Sequence, residues 1–433
     1  MKKRRLLCLI GIFSLFIVPA MAFGSGFAIN ENGSKAVGMG GAFAAQADDP
    51  TAVYFNPAGI VQLEGTQISV GVAPIMPGAE YTSTGNSLLV APGTTYDADD
   101  KTFLIPNAYI THKFNDMWSF GFGTFSNFGL ATEWEGTWEG RYIMGGVLSE
   151  IVTISLNPVV AYRPHQRVSI AAGPVLQYAD VTLESKLPAP PAPDGDFKLT
   201  GDDWDWGWNV GLLVWLSDEW KFGASYRSEV KHSFSGAEAA ASGLPVAALN
   251  QTSNSTEADI TTPQIVYLAL AWTTGPMTLE FDGQWTGWSS YDRLSATFGM
   301  GLLALSGGVP PGVSSVTKAK DWDDVWALRF GVNYNVTPEW DLRAGIIWDE
   351  SPVPDYTVDP ALPSGDRWLY CLGFGYHSGK FAFDFAYNYL QDEGRTFNNA
   401  VGDYTALGFP AAMTGEFDNV DAHIFSVNLS FMF

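Results

Sequence analysis

The side chains that ordinarily carry chemistry are few in this chain, and they are spaced for binding rather than bond-making. Five histidines, His112, His165, His232, His377 and His423, are scattered along it. None stands in a nucleophile–base pattern, and His423 falls in an apolar row. No His, Cys, Asp or Glu cluster has metal-ligand spacing. Gly38-Met39-Gly40-Gly41 lacks the strand and the lysine that a phosphate-binding loop requires. Acidic residues crowd one stretch at Asp97, Asp99 and Asp100, which reads as a solvated loop rather than a cation site. What remains is Arg227, Glu229 and Lys231, which share one face of an alternating segment opposite Phe222 and Tyr226. Charges so placed in an apolar wall are expected to face a lumen and pair with whatever fills it. Neither catalysis nor a cofactor is expected.

The elements that must position these charges follow from composition and pattern. Lys2, Lys3, Arg4 and Arg5 precede an apolar run from Leu6 to Val18, and Ala20-Met21-Ala22 follows. This is the form of a secretory signal over residues 1–22. Cys8 lies in it, so Cys371 stands alone in the mature chain and no intramolecular disulfide is expected. Four positive charges leave with the signal, so 19 Lys+Arg face 46 Asp+Glu, a balance of −27. A nucleic-acid partner is thereby excluded, because phosphate backbones require a basic footprint. No later stretch reaches eighteen uncharged apolar residues, so helical membrane spans are not expected. Aromatic residues at 14%, 46 glycines and only 16% charged residues instead suit strands that alternate between lipid and lumen.

The strands themselves can be counted. His423, Phe425, Val427, Leu429, Phe431 and Phe433 share one face, with Ile424, Ser426, Asn428, Ser430 and Met432 on the other. The same alternation predicts strands near 66–76, 103–113, 117–127, 148–163, 166–184, 204–217, 219–232, 262–274, 276–288, 322–336, 338–349, 367–378, 380–390 and 421–433. Connections alternate without exception between very short, as at Asn115-Asp116 or Gly275-Pro276, and long, as at 185–203 or 233–261. Short turns mark the periplasmic side and long loops the outside, so both chain ends are expected in the periplasm. The fold class is therefore all-β: residues 66–433 form a fourteen-stranded antiparallel transmembrane β-barrel of the bacterial outer membrane, expected to be a monomer in outer-membrane lipid. The Pro-rich stretch 188–193 and the Ala-rich stretch after Gly236 are expected to be mobile loops.

Residues 23–65 do not alternate. They hold turn formers together with apolar side chains such as Phe27, Val37, Phe43 and Phe55, and a fourteen-stranded lumen is too wide for its own wall to fill. An N-terminal plug in the barrel lumen is expected. Here the chain resembles the FadL family of outer-membrane transporters for long-chain fatty acids and hydrocarbons, including TodX-like channels. The resemblance rests on Gly26-Phe27 through Asn30-Glu31, Ala47-Asp48-Asp49, Asn56-Pro57-Ala58, the run from Ser126 to Glu133, the run from Ser225 to Lys231, the run from Trp285 to Ser290, the run from Ser351 to Asp355, and Asp366-Arg367. A terminal aromatic at Phe433 likewise resembles the signal read by the barrel-assembly machinery.

The family likeness implies passive transport of a hydrophobic molecule through a lumenal pocket, with a lateral exit at a kink in the third strand. On this chain that strand ends at Ser126-Asn127-Phe128-Gly129. Asn127 and Gly129 would form the kink, since glycine permits a bulge that breaks wall pairing. Ser126 and Phe128 would contact ligand, and Asn56-Pro57-Ala58 is the plug motif. Fatty-acid members carry a basic residue at the end of the fifth strand. Ser185 stands at that position here, with Lys186 beside it as a substitute. A long-chain fatty acid is the expected ligand. An uncharged aromatic hydrocarbon is the alternative, and a general diffusion porin is the further rival.

Overall fold

The computed structural model describes residues 26–84, 91–99, 101–247, 250–298, 315–363, 365–400 and 412–433; the expected signal, residues 23–25 and Asp100 lie outside these. The chain closes into a fourteen-stranded antiparallel barrel. β1 is Thr66–Ser83, β2 is Thr95–Asp97 with Phe103–Lys113, and β3 is Trp118–Phe125 with Gly129–Glu133. β4 is Leu148–His165, β5 Val168–Leu187 and β6 Gly195–Trp215. β7 is Trp220–Arg227 with Val230–Ser242, β8 Gln251–Thr262 with Ile265–Thr274, and β9 Met277–Thr286 with Arg293–Thr297. β10 is Ser315–Ala319 with Val325–Asn335, β11 Trp340–Asp349 and β12 Arg367–Ser378. β13 is Phe381–Asp392 with Arg395–Ala400, and β14 is Ala412–Met432.

Each strand pairs with its neighbours in sequence, and β14 returns to β1 with Ile68 opposite Phe431 and Val72 opposite Val427. A closed wall leaves no open edge, the only way a sheet satisfies its backbone in hydrocarbon. The lipid face is aromatic at two levels. Trp118, Trp220 and Trp340 ring the end with the short turns, and Trp206, Trp326 and Trp368 lie toward the end with the long connections. Short turns are tied by their own side chains. Asn115 Oδ1 accepts from the amides of Met117 and Trp118, and Ser217 Oγ accepts from those of Glu219 and Trp220.

Three expectations are corrected. The stretches 185–203 and 233–261 are largely β-hairpins that lengthen β5 to β8 beyond the membrane, not open loops. Leu187, Phe197, Leu199, Phe234, Ala237, Ala239 and Ala241 point inward along them, and small alanines hid this alternation. Second, Glu229 and Lys231 are exposed, and only Arg227 of that trio points inward. Pairing is interrupted at Ser228 and Glu229, where Ser228 bonds sideways to the backbone of Trp208. The phase flips there, so Val230 and His232 face inward beyond it. Third, Lys186 lies on the outward face of β5 and pairs with Asp196 across to β6 at 2.5 Å, while Ser185 turns inward.

The N-terminal segment is buried almost throughout and touches strands all round the wall. It holds two short helices, α1 (Ser34–Gly38) and α2 (Ala52–Phe55), and a 3-10 turn over Pro57–Gln62. Ser34 bonds to Asn428 on β14, Ser225 of β7 donates to Phe55 O, and Ser169 of β5 donates to Ala58 O. A row of wall glycines admits the segment. A Cβ on Gly331 would meet Met39 O at 2.4 Å, and one on Gly345 would meet Gly40 N at 2.3 Å. The firmest hold is on β9. Glu280 receives the amides of Ala45 and Gln46 at 2.6 and 2.8 Å, and Asp282 those of Phe43 and Ala44 at 3.1 Å. Two carboxylates buried side by side do not both ionise, so the roughly 1.5–3 kcal/mol of a charge-assisted bond applies to the bonds of one of the pair.

The expected outcome is that Glu280→Gln combined with Asp282→Asn loosens the segment. Single-channel recordings should then show a larger or noisier ion conductance than the native barrel. An unchanged trace counts against the clamp.

Candidate functional site

The third strand breaks where the sequence places its glycine. β3 pairs with β4 up to Phe125 opposite Ser155 and resumes with Gly129 opposite Val152. Three residues of β3 therefore span two of β4, a bulge. Ser126 Oγ donates to Thr153 O at 2.7 Å and Thr153 Oγ1 to Phe128 O at 2.6 Å, which pins the bulge. Gly129–Ala131 and Thr132 are buried on both faces, so this part of β3 has left the plane of the wall.

On the β2 side the ladder stops at Ala108 opposite Thr124. It returns only at the bridge of Ala98 with Trp134. Between these points, among the described residues, β2 and β3 share no backbone pairing. The N-terminal segment takes the vacant edge instead. Ile29 N donates to Asn127 O and Gly129 N to Phe27 O, both at 2.8 Å, and Ala28 bridges to Phe128. Asn32 Nδ2 adds a bond to Ser126 O at 2.8 Å.

Phe27, brought in by this pairing, sits in an aromatic nest. Its ring lies 4.6 Å from Trp288, 5.5 Å from Tyr291, 5.7 Å from Trp322 and 5.9 Å from Phe128. Beside it runs a narrow apolar slot with a cavity volume of about 40 Å³, lined by Phe27, Leu130, Leu183, Phe234, Ile260 and Trp322 among others. That is well below the usual range for small-molecule pockets, so the lining side chains must part to admit a ligand. Its walls approach closely, which makes it a slot more than a chamber. A strap from β3 to β4 adjoins it. Trp134 and Trp138 stack at 4.8 Å, Trp134 Nε1 donates to Pro360 O, and Tyr81 donates to Glu139 at 2.5 Å.

The slot also has a polar end. Lys318 and Lys320 line it, and both pair with Asp359. Lys320 and Asp359 are buried and Lys318 half-buried. Asp259, on the rim, is exposed. Burial pulls the Lys318 ammonium below the ordinary lysine value, against the pull of Asp359. Burial works against the Lys320 charge too, but Asp359 and Tyr291 outweigh it and raise that pKa. Two cations share one carboxylate, which leaves one positive charge at the end of an apolar slot.

The residues expected from the sequence are thus distributed unevenly. Phe128 packs on the aromatic nest at 5.8 Å from Trp288. The Ser126 hydroxyl and the Asn127 and Gly129 backbones hold the kink, and Ser126 does not line the slot. Asn56 joins two arms of the segment to β6. Its Nδ2 donates to Ala44 O and Leu212 O, and its Oδ1 caps the turn begun by Pro57 and Ala58. Arg227 lies over the rings of Tyr54 and Phe125, at 5.6 and 5.0 Å, and makes no ion pair among the described residues. Lys186, Glu229 and Lys231 stand outside the wall. Lys318, Lys320 and Asp359 were missed. The available signal was Lys318-Ala319-Lys320, two cations at strand spacing in a chain poor in them.

Comparison with known proteins agrees with this geometry. The family model for outer membrane protein transport protein (OMPP1/FadL/TodX) matches residues 15–433. A long-chain fatty acid transport protein of Salmonella typhi is 28% identical over 425 residues, covering 90% of this chain and 93% of the relative. A putative outer membrane protein of Neisseria meningitidis is 27% identical over 438 residues, covering 92% and 93%. Among solved structures, a Pseudomonas aeruginosa FadL homologue superposes with a TM-score of 0.76 at 20% identity, covering 94% of this chain and all of that one. The Pseudomonas putida toluene transporter TodX gives 0.66 at 15% identity, covering 96% and 100%. At such identities the likeness to these structures is one of fold. With its family model matched along almost the whole chain, this barrel is a bacterial outer-membrane protein and belongs to the OMPP1/FadL/TodX family of transport proteins.

Proposed function

We propose that this barrel carries hydrophobic acids, long-chain fatty acids foremost, passively across the outer membrane, and releases them sideways through the gap between β2 and β3. The observation that carries the reading is the slot that ends in Lys318 and Lys320. Its apolar lining, once parted, suits an acyl chain, whose burial stabilises by about 0.8 kcal/mol per CH₂. Its end offers an excess positive charge to a carboxylate, and ion pairs gain strength where water is excluded.

The same energetics speak against release into an aqueous channel. About ten methylenes would forfeit about 8 kcal/mol on returning to water. A gap in the wall leads instead from one apolar medium to another. Opening it requires the N-terminal segment to leave the kink, at the cost of three neutral hydrogen bonds to β3, of roughly 0.5–1.5 kcal/mol each, those from Tyr54 to Ile29 O and from Tyr109 to Asn32 O, and the burial of Phe27. An acyl chain entering the slot offsets a loss of that size. The N-terminal segment, read as a plug, keeps the lumen from acting as a general pore.

Two outcomes are expected. Replacing Lys318 and Lys320 together with glutamine should weaken oleate binding at least about tenfold, the equivalent of one charge-assisted hydrogen bond, and leave methyl oleate binding unchanged. In the native barrel oleate should also bind more weakly as pH rises through the depressed Lys318 value, below the ordinary lysine figure of about 10.4. Calorimetry in detergent reads both. Equal binding of acid and ester would favour an uncharged hydrocarbon as the ligand. Separately, Gly129→Pro removes the amide that meets Phe27 O and stiffens the kink. Uptake of labelled oleate by cells carrying it should drop severalfold, and native uptake would sink the lateral exit.

A further inference from the structure

Further along the inward face of β10 and on the adjoining ends of β11 and β12 lies a second cationic cluster. Arg367 is fully buried, yet its only hydrogen-bond partner among the described residues is Asp349, reached through Nη2 at 3.2 Å. Among the described residues its Nε and Nη1 meet no acceptor, one oxygen of Asp349 meets no donor, and the Nε of Arg329 is likewise unmet. Arg329 is buried beside this pair. It spends Nη1 on Gly40 O and Nη2 on Gln284 Oε1. Leaving donors of a buried cation unsatisfied costs several kcal/mol, so such an arrangement points to an occupant.

Asp282 of β9 stands directly across the ladder from Arg329, and one more carboxylate reaches this neighbourhood from outside the wall. Glu31 is buried and makes no ion pair within 4 Å among the described residues; its carboxylate accepts the amide of Asn30 at 2.9 Å. Burial raises its pKa, while Arg329 and Arg367 pull the other way, so their fields reach it. Glu31 stands four residues beyond Phe27, on the stretch that pairs with the kink. Two arginines of the wall therefore face two wall carboxylates, Asp349 and Asp282, of which Asp282 is turned to the amides of Phe43 and Ala44, and a third carried on the segment.

We propose that Arg367 and Arg329 form a second carboxylate site inside the barrel, which the head group of the substrate occupies as the N-terminal segment leaves the kink and takes Glu31 with it. The inference rests on the fatty-acid reading above. A carboxylate meets the forked Nε and Nη1 of Arg367 in its natural bidentate geometry. The substrate thus replaces the charge that the segment removes, and an acid travels with the opening where an ester does not.

The test uses the whole protein in lipid nanodiscs and oleate labelled with ¹³C at its carboxyl carbon. Bound, ionised carboxylate is counted by NMR, with methyl oleate as the neutral control. Two bound carboxylate environments are expected. The Lys318→Gln, Lys320→Gln form should lose the first, and Arg367→Gln the second. Arg367→Lys, which keeps charge but loses the fork, should weaken the second about tenfold. Glu31→Gln should strengthen it by a similar factor, because the competing charge is gone. This variant leaves the wall intact, so it decides the matter even if Arg367→Gln fails to fold. A single environment lost with Lys318 and Lys320, and indifferent to Arg367 and Glu31, overturns the second site and leaves the proposed function standing. Absence of bound oleate in every form overturns both.

Discussion

Everything in this molecule depends on one constraint: backbone amides and carbonyls in hydrocarbon must be paired within the protein. Fourteen strands meet it by closing on themselves, β14 to β1. The exception is the stretch where β2 and β3 part company. There the pairing is supplied by residues that are not part of the wall, Phe27 and Ile29. A wall seam closed by a separate piece of chain needs no strand to unfold if, as proposed, it opens.

Energetics separate the two halves of that piece. From Ser34 onward the segment is fixed, with four consecutive amides held by Glu280 and Asp282 and backbone pressed against Gly331 and Gly345. Before it, three neutral hydrogen bonds to β3, those from Tyr54 and Tyr109, and one aromatic side chain hold the segment at the kink. The stronger, charge-assisted set anchors, and the weaker set yields first. The same weak end borders the slot through Phe27 and carries Glu31 toward the arginines. Occupancy of the slot, closure of the seam and charge balance in the lumen are thereby linked through a handful of residues.

Much of this was readable from the amino acids. Alternation marked the strands because each has one lipid face and one inner face, and turn lengths set the orientation. Gly129 marked the break in β3. What alternation does not show is a change of phase. The interruption at Ser228 turned Glu229 and Lys231 outward, although Arg227, two residues before Glu229, points in. Lys186 failed for the same reason, since a charge moved one position along a strand emerges on the opposite face. Lys318 and Lys320 lay in a stretch read as loop, and their partner Asp359 comes from another loop altogether. Arg329 and Arg367 find their context only when β10, β11 and β12 are side by side.

The seam is tested most directly by locking it. Ala28 and Phe128 face each other across the bridge, flanked by the bonds of Ile29 to Asn127 and of Gly129 to Phe27. Cysteines at these two positions would join the N-terminal segment to the kink by a disulfide. Oleate uptake by cells carrying the pair should fall to background when oxidised and return on reduction, with binding in the outer slot retained throughout. Uptake that proceeds at the native rate with the disulfide closed would contradict a lateral exit guarded by this segment.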